Sequence, residues 1–161
     1  MTSKTQPNKK NAPLSDKFEE VKLVYYNKVK AADRLKIKTK ETAYEALISC
    51  WDMGQISLVE EFKLLFLDRS MGLMSYANLA KGGIDAVYLD KRIAFAMALK
   101  RRATSIILAH NHPSGNVRPS HADIRMTKDF VQAGQLLGIE VNDHIIVTED
   151  AYYSMCYEGD I

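Results

Sequence analysis

Apolar and polar positions alternate along the chain in two different rhythms. From Val59 to Asp68 the run VEEFKLLFLD puts Phe62, Leu64 and Phe66 on one face of a strand. Glu61, Lys63, Leu65 and Leu67 fall on the other face, because successive side chains of a strand point to opposite sides. Gly72 to Leu79 reads as a second strand in a hairpin with it, turned at Asp68-Arg69-Ser70, and Lys81-Gly82-Gly83 as a flexible turn. Ser105-Ile106-Ile107-Leu108-Ala109 is a short apolar, β-branched run ending at His110, the pattern of a buried strand. A last strand is expected over His144–Thr148, with Tyr152 to Tyr157 closing over the core and Val87 to Leu89 a short extended piece.

The helical rhythm appears three times. Thr39 is an N-cap for a helix from about Lys40 to Met53, with Ala43, Ala46, Leu47, Cys50 and Trp51 on one stripe. Asp90 caps a second helix, about Lys91 to Ala103, expected to bury Ile93, Phe95, Ala96 and Leu99. Ser120 opens a third that runs to about Leu137, faces Ile124, Phe130, Val131, Ala133 and Leu137 inward, and stops at Gly138. This succession predicts an α/β protein with a mixed sheet covered by helices on both faces.

Ahead of these elements the pattern changes. Residues 1–17 are polar, basic and without periodicity, and are expected to form a disordered leader. Residues 18–39, with EVKLVYYNKVK, read as an N-terminal strand extension, and residues 40–161 as the domain proper. The net charge of +2 hides this division. Residues 1–40 hold eleven Lys/Arg against four Asp/Glu, and residues 41–161 hold eleven against sixteen. Such a leader could make a weak nucleic-acid contact, or could be solvated without a partner. Pairing through the extension could make a homodimer. With 47% apolar and 26% charged residues, no long apolar run and no secretory h-region, the composition predicts a cytoplasmic protein with no membrane contact. Cys50 and Cys156 form no CxxC pair and read as reduced thiols.

The chemistry lies in His110 to Asp123, HNHPSGNVRPSHAD. His110 and His112 share a side of the strand end, and the Pro-Ser-Gly-Asn turn lets Asp123 return toward them. Two imidazoles and a carboxylate converging on a point can hold a metal and leave one position for water. Ser120-His121-Ala122-Asp123 is also a capping box, which explains Ser120 and Asp123 without a metal but leaves the histidines unexplained. The same donors could hold Fe(II) as an oxygenase triad. His121 points elsewhere on the helix's first turn.

The spacing HxHx7SxxD, at His110, His112, Ser120 and Asp123, resembles the JAMM motif of the JAB/MPN metalloprotease family. The fuller HNHPSG…RPSHAD with DHIIV downstream is similar to its bacterial RadC-type branch, over about residues 40–161. The resemblance implies a three-layer α/β/α sandwich, cytidine-deaminase-like in layout. It also implies one Zn2+ per chain on His110, His112 and Asp123, a catalytic glutamate matched best by Glu61, and an oxyanion-donating Ser120. The implied activity is hydrolysis of a peptide or isopeptide bond in a peptide or protein substrate, with Glu61 as general base. Glu60 competes for that role but lies on the opposite strand face from Glu61. Asp143-His144 matches the family's DH element and reads as a structural hydrogen bond supporting the fold. The alternative is a nucleic-acid-binding accessory protein of DNA repair or mobile elements, with a structural or vestigial metal site. Two departures stand out: Lys91-Arg92-Ile93 where the family opens its helix with Arg-Glu, and a leader too short for the helix-hairpin-helix module of longer members.

Overall fold

The computed structural model describes residues 24–25, 28–82 and 89–161. Five strands form one sheet in the order β2-β1-β3-β4-β5. They are β1 (Glu61–Leu67), β2 (Leu73–Lys81), β3 (Ser105–Asn111), β4 (Glu140–Val147) and β5 (Tyr152–Ser154). The helices are α1 (Lys40–Ser49), α2 (Lys91–Arg101), α3 (His121–Leu137) and the short α4 (Met155–Glu158). β3 and β4 run parallel across the α3 crossover, while the other neighbours are antiparallel. The sheet is therefore mixed, as expected.

Its two faces carry separate cores. On one, α1 packs Ala43, Ala46 and Leu47 with Trp51 against Leu65, Leu67, Ile107, Ala109, Ile145 and Val147. On the other, α2 and α3 pack Ala94, Phe95, Ala98 and Phe130 against Phe62, Leu64, Phe66, Ile106 and Leu108. The result is the three-layer α/β/α sandwich. The middle strands β1 and β3 are buried along their whole length, which explains their nearly continuous apolar runs.

The caps form as the sequence suggests. Thr39, Asp90 and Ser120 each accept a backbone N–H of their helix, and Gly138 closes α3 at φ 66°. Gly134 sits where α3 turns back onto the sheet, so close to the Ile139 carbonyl that a Cβ would collide with it. The β1–β2 turn is built by Asp68, whose Oδ1 accepts N–H groups of Ser70 and Gly72 while Oδ2 takes the Arg34 guanidinium at 2.7 Å.

Several expectations shift. α1 ends at Ser49, ahead of Met53, and β4 starts four residues before His144, where Glu140 N–H reaches the Thr104 carbonyl. α2 turns Ala94, Phe95 and Ala98 inward. Ile93 and Leu99, expected in the core, are 50% and 49% exposed, and Ala96 is exposed too. In α3 the buried positions are Thr127, Phe130 and Gly134, with Leu137 outside. The leader lies outside the described residues, as do residues 18–23 and 26–27 of the strand extension, Gly83 of the expected turn, and Val87 and Tyr88. Within residues 24–25 and 28–39 the chain forms a 3-10 turn at Ala31–Asp33 and one bridge, Lys36 to Gly72.

Candidate metal centre

The centre forms where β3 runs out beside the start of α3. Alternation along β3 sends Ile106, Leu108 and His110 to the α2/α3 face and Asn111 to the α1 face. His110 is opposite Phe62 in the β1–β3 ladder and fully buried, its ring stacked on the Phe62 ring at 5.4 Å. His112, just past the strand, is half-buried at the mouth of the site. Asp123 arrives from α3 through the capping box: Ser120 donates both its N–H (2.7 Å) and its hydroxyl (2.6 Å) to Asp123 Oδ2. That leaves Oδ1 turned to His110.

Three ligand atoms thus converge, all within 4.8 Å of one another. His110 Nε2 is 2.9 Å from His112 Nε2 and 3.4 Å from Asp123 Oδ1, and His112 Nε2 is 3.7 Å from Asp123 Oδ2. Tetrahedral bonds of about 2.0–2.2 Å would set ligand-to-ligand edges at about 3.3–3.6 Å, close to the spacing of the two imidazoles and the Asp123 carboxylate. The far nitrogens are occupied: His112 Nδ1 donates to the Asn116 carbonyl at 2.6 Å, and His110 Nδ1 meets His144 Nε2 at 2.7 Å. Both rings therefore aim Nε2 inward, and the donor set fits a divalent cation.

Electrostatics agree. Burial pushes His110 down to about 4, against the pull of Asp123, so its ring is neutral at physiological pH. Burial raises the Asp123 carboxyl, but His112, His110 and Ser120 outweigh it and hold the group well below the usual carboxylate range. Hydrogen bonding to Asp123 raises His112. Two imidazoles and a firmly ionised carboxylate are the ligands a borderline-soft dication prefers.

The centre opens into a cleft of about 670 Å³ lined by Glu60, His112, Pro113, Ser114, Arg118 and Ser120. Burial and the Asp123 charge raise the Glu60 carboxyl, against the pull of His112. Glu60 is held there by Asn111, the residue between the two histidines. Its amide donates to the Ile56 (2.6 Å) and Val59 (2.8 Å) carbonyls and accepts Glu61 N–H at 2.7 Å.

Glu61, the expected base, does not join the site. Its carboxylate lies across the sheet, bonded to Lys63 at 3.0 Å and Lys81 at 2.8 Å. Lys63 in turn binds Asn78 and lies over the Trp51 ring. Burial raises Glu61, but the two lysines outweigh it and lower the carboxyl, which suits an ion pair more than a base. The reason is register: Phe62 packs under His110, so its neighbour Glu61 must face α1. His110, His112, Ser120 and Asp123 do come together as expected, and His121 is exposed outside the cleft. Asp143 supports the fold by accepting from His144 N–H, Cys156 N–H and the Ser154 hydroxyl.

A mixed-sheet α/β/α sandwich with two histidines and an aspartate at the end of its central strand has the design of a JAB/MPN domain. The chain belongs to the RadC-like JAB domain family, whose model matches residues 37–160. It is similar to a UPF0758 protein of Flavobacterium johnsoniae, 41% identical over 130 residues, covering 81% of this chain and 57% of the relative. UPF0758 proteins of Porphyromonas gingivalis (45% over 101 residues, 62% and 44%) and Aquifex aeolicus (35% over 126 residues, 78% and 53%) are similar as well. The chain spans about half the length of these curated relatives. No helix among the described residues is long and apolar enough to cross a membrane.

Proposed function

We propose that the chain is a zinc-dependent hydrolase of peptide or isopeptide bonds, with His110 Nε2, His112 Nε2 and Asp123 Oδ1 as the metal ligands and Glu60 as general base. The observation that carries this reading is the convergence of the three ligand atoms in a cleft that Glu60 also lines. Bound there, Zn2+ supplies Lewis acidity, polarising the scissile carbonyl and making the attacking water acidic near neutral pH.

The chain's own residues do the rest. Glu60, with no lysine or arginine paired to it among the described residues, takes the water's proton and returns it to the leaving amine. Its raised pKa moves it toward the operating pH, where a general base works best. Ser120 keeps Asp123 Oδ2 occupied, so that Oδ1 would be the oxygen left for the metal. Turned toward the cleft, the same hydroxyl would donate to the developing oxyanion. The cleft of about 670 Å³ opens to solvent, which leaves room for a peptide segment.

The test loads chelator-treated protein with Zn2+ and follows hydrolysis of a mixed peptide and isopeptide library. Wild type should cleave, and Glu60→Gln should lose about 10²–10⁴ in rate, the usual contribution of a general base, with its zinc retained. Equal rates in the two proteins would overturn the assignment of Glu60. Loading with Fe(II) in place of Zn2+ separates the hydrolase from an oxygenase triad, because only the latter would consume O2.

A further inference from the structure

His144 lies on β4, 34 residues from His110, with its ring wholly buried against Phe62 and His110. Its Nε2 is 2.7 Å from His110 Nδ1 and its Nδ1 is 2.5 Å from the Thr127 hydroxyl. The Thr127 hydroxyl is 2.6 Å from the Asp123 backbone carbonyl one helical turn back, and 3.7 Å from Met155 Sδ, a much weaker acceptor.

These contacts fix the direction of every proton. A carbonyl oxygen can only accept, so the single Thr127 hydrogen goes to Asp123 O, as a mid-helix Thr commonly arranges it. Thr127 Oγ1 then offers His144 a lone pair, and His144 Nδ1 must carry the hydrogen that meets it. Among the described residues no carboxylate is hydrogen-bonded to the wholly buried His144 ring, so a second proton there would be an uncompensated buried charge and its Nε2 is a lone pair. His110 must then be protonated on Nδ1. Its other nitrogen, Nε2, is left bare and aimed at His112 and Asp123.

We propose that His144 and Thr127 are positioning residues that lock His110 in the Nδ1–H tautomer, so that Nε2 is always presented to the metal. The same links close a loop between two ligands on different elements: Asp123 on α3, through its own backbone carbonyl, Thr127 and His144, to His110 on β3. His112 needs no such device, because a backbone carbonyl at its Nδ1 already sets its tautomer. This inference rests on the metal-site reading above.

The test measures Zn2+ affinity by competition with a chelator for wild type, His144→Leu, Thr127→Val and His144→Gln. It also records long-range 1H–15N spectra of the metal-free proteins. His144→Leu removes the acceptor and should weaken binding about 10–100-fold, the usual cost of losing an outer partner of a metal ligand. Thr127→Val should weaken it less. His144→Gln, whose carbonyl reaches the place of Nε2, should stay close to wild type. The wild-type spectrum should show His110 protonated at Nδ1, and the Leu variant a mixture of tautomers. Thermal unfolding of each metal-free variant separates affinity from stability. If His144→Leu does not fold, Thr127→Val and the wild-type spectrum decide the matter. Unchanged affinity in a folded Leu variant, a Gln variant as weak as the Leu one, or His110 protonated at Nε2 in wild type would each overturn the proposal. A wild type that bound no zinc would overturn the hydrolase reading, while the spectrum would still decide the tautomer.

Discussion

Glu60 and Glu61 are adjacent in the chain, and the sheet separates their roles. Glu61 faces α1, where Lys63 and Lys81 hold its carboxylate and lower it. Glu60 lines the cleft beside His112, where burial and Asp123 raise it. At the far end of β1, Asp68 repeats the Glu61 pattern, held by Arg34 and two backbone N–H groups. Two carboxylates flanking one strand are therefore tied to cations, and the third faces the cleft, as the proposed base must. The lesson is that chemistry follows the face a carboxylate occupies, and one position along a strand is enough to exchange a base for an ion pair.

The largest effect comes from exchanging the two glutamates in a single hydrolysis assay. Glu60→Gln removes the rate, whereas Glu61→Gln leaves the rate of the folded protein at wild-type level. If Glu61→Gln lost activity as Glu60→Gln does, at unchanged stability, the two faces would have to be reassigned.

A smaller effect is in stability. Glu61→Gln leaves the buried Lys63 ammonium with a neutral partner, and should cost about 1–3 kcal/mol in chemical denaturation, as expected for a hydrogen bond to a charged group. Glu60→Gln, with no cation to orphan, should be neutral or slightly stabilising. Equal losses in the two variants would mean that Glu61 is not the structural member of the pair.

The smallest effect is the acid dependence at Asp68. Burial raises this carboxyl, but Arg34, Gly72 and Ser70 outweigh it and hold it well below its ordinary 3.8. A folded-state pKa below the unfolded value gives stability that is present above about 4 and lost as pH falls through the folded value. Arg34→Ala should therefore cost roughly 1 kcal/mol at neutral pH, and should flatten the loss of stability below pH about 4. An acid limb that was unchanged in the variant would remove Asp68 from the account.

What could be read from the sequence was whatever depends on near neighbours. The caps at Thr39, Asp90 and Ser120, the strand ending at His110, and the cluster of His110, His112 and Asp123 all rest on spacings within fourteen residues. The choice between Glu60 and Glu61 does not. Alternation separates the two, but only the pairing of Phe62 with His110 says which face carries the candidate metal site. That Phe62 shares parity with Glu60's side of the strand was visible; that it would stack on a ligand was not. His144 was visible as half of the DH pair, yet its role comes from β4 lying parallel to β3, which places Leu108 opposite it and His110 within reach. α2 misled for a different reason. Its larger apolar residues suggested the buried face, and Phe95 is buried as expected, but its companions inside are Ala94 and Ala98, while Ile93 and Leu99 stay half outside.

The most direct test of the account is calorimetric titration of chelator-treated protein with Zn2+ at neutral pH, for wild type, His110→Ala and Asp123→Ala. The account predicts one site per chain in wild type. Losing either ligand should weaken binding about a thousandfold, roughly a third of the free energy of a well-formed zinc site. A wild type with no zinc site, or ligand variants that bind as wild type does, would contradict it.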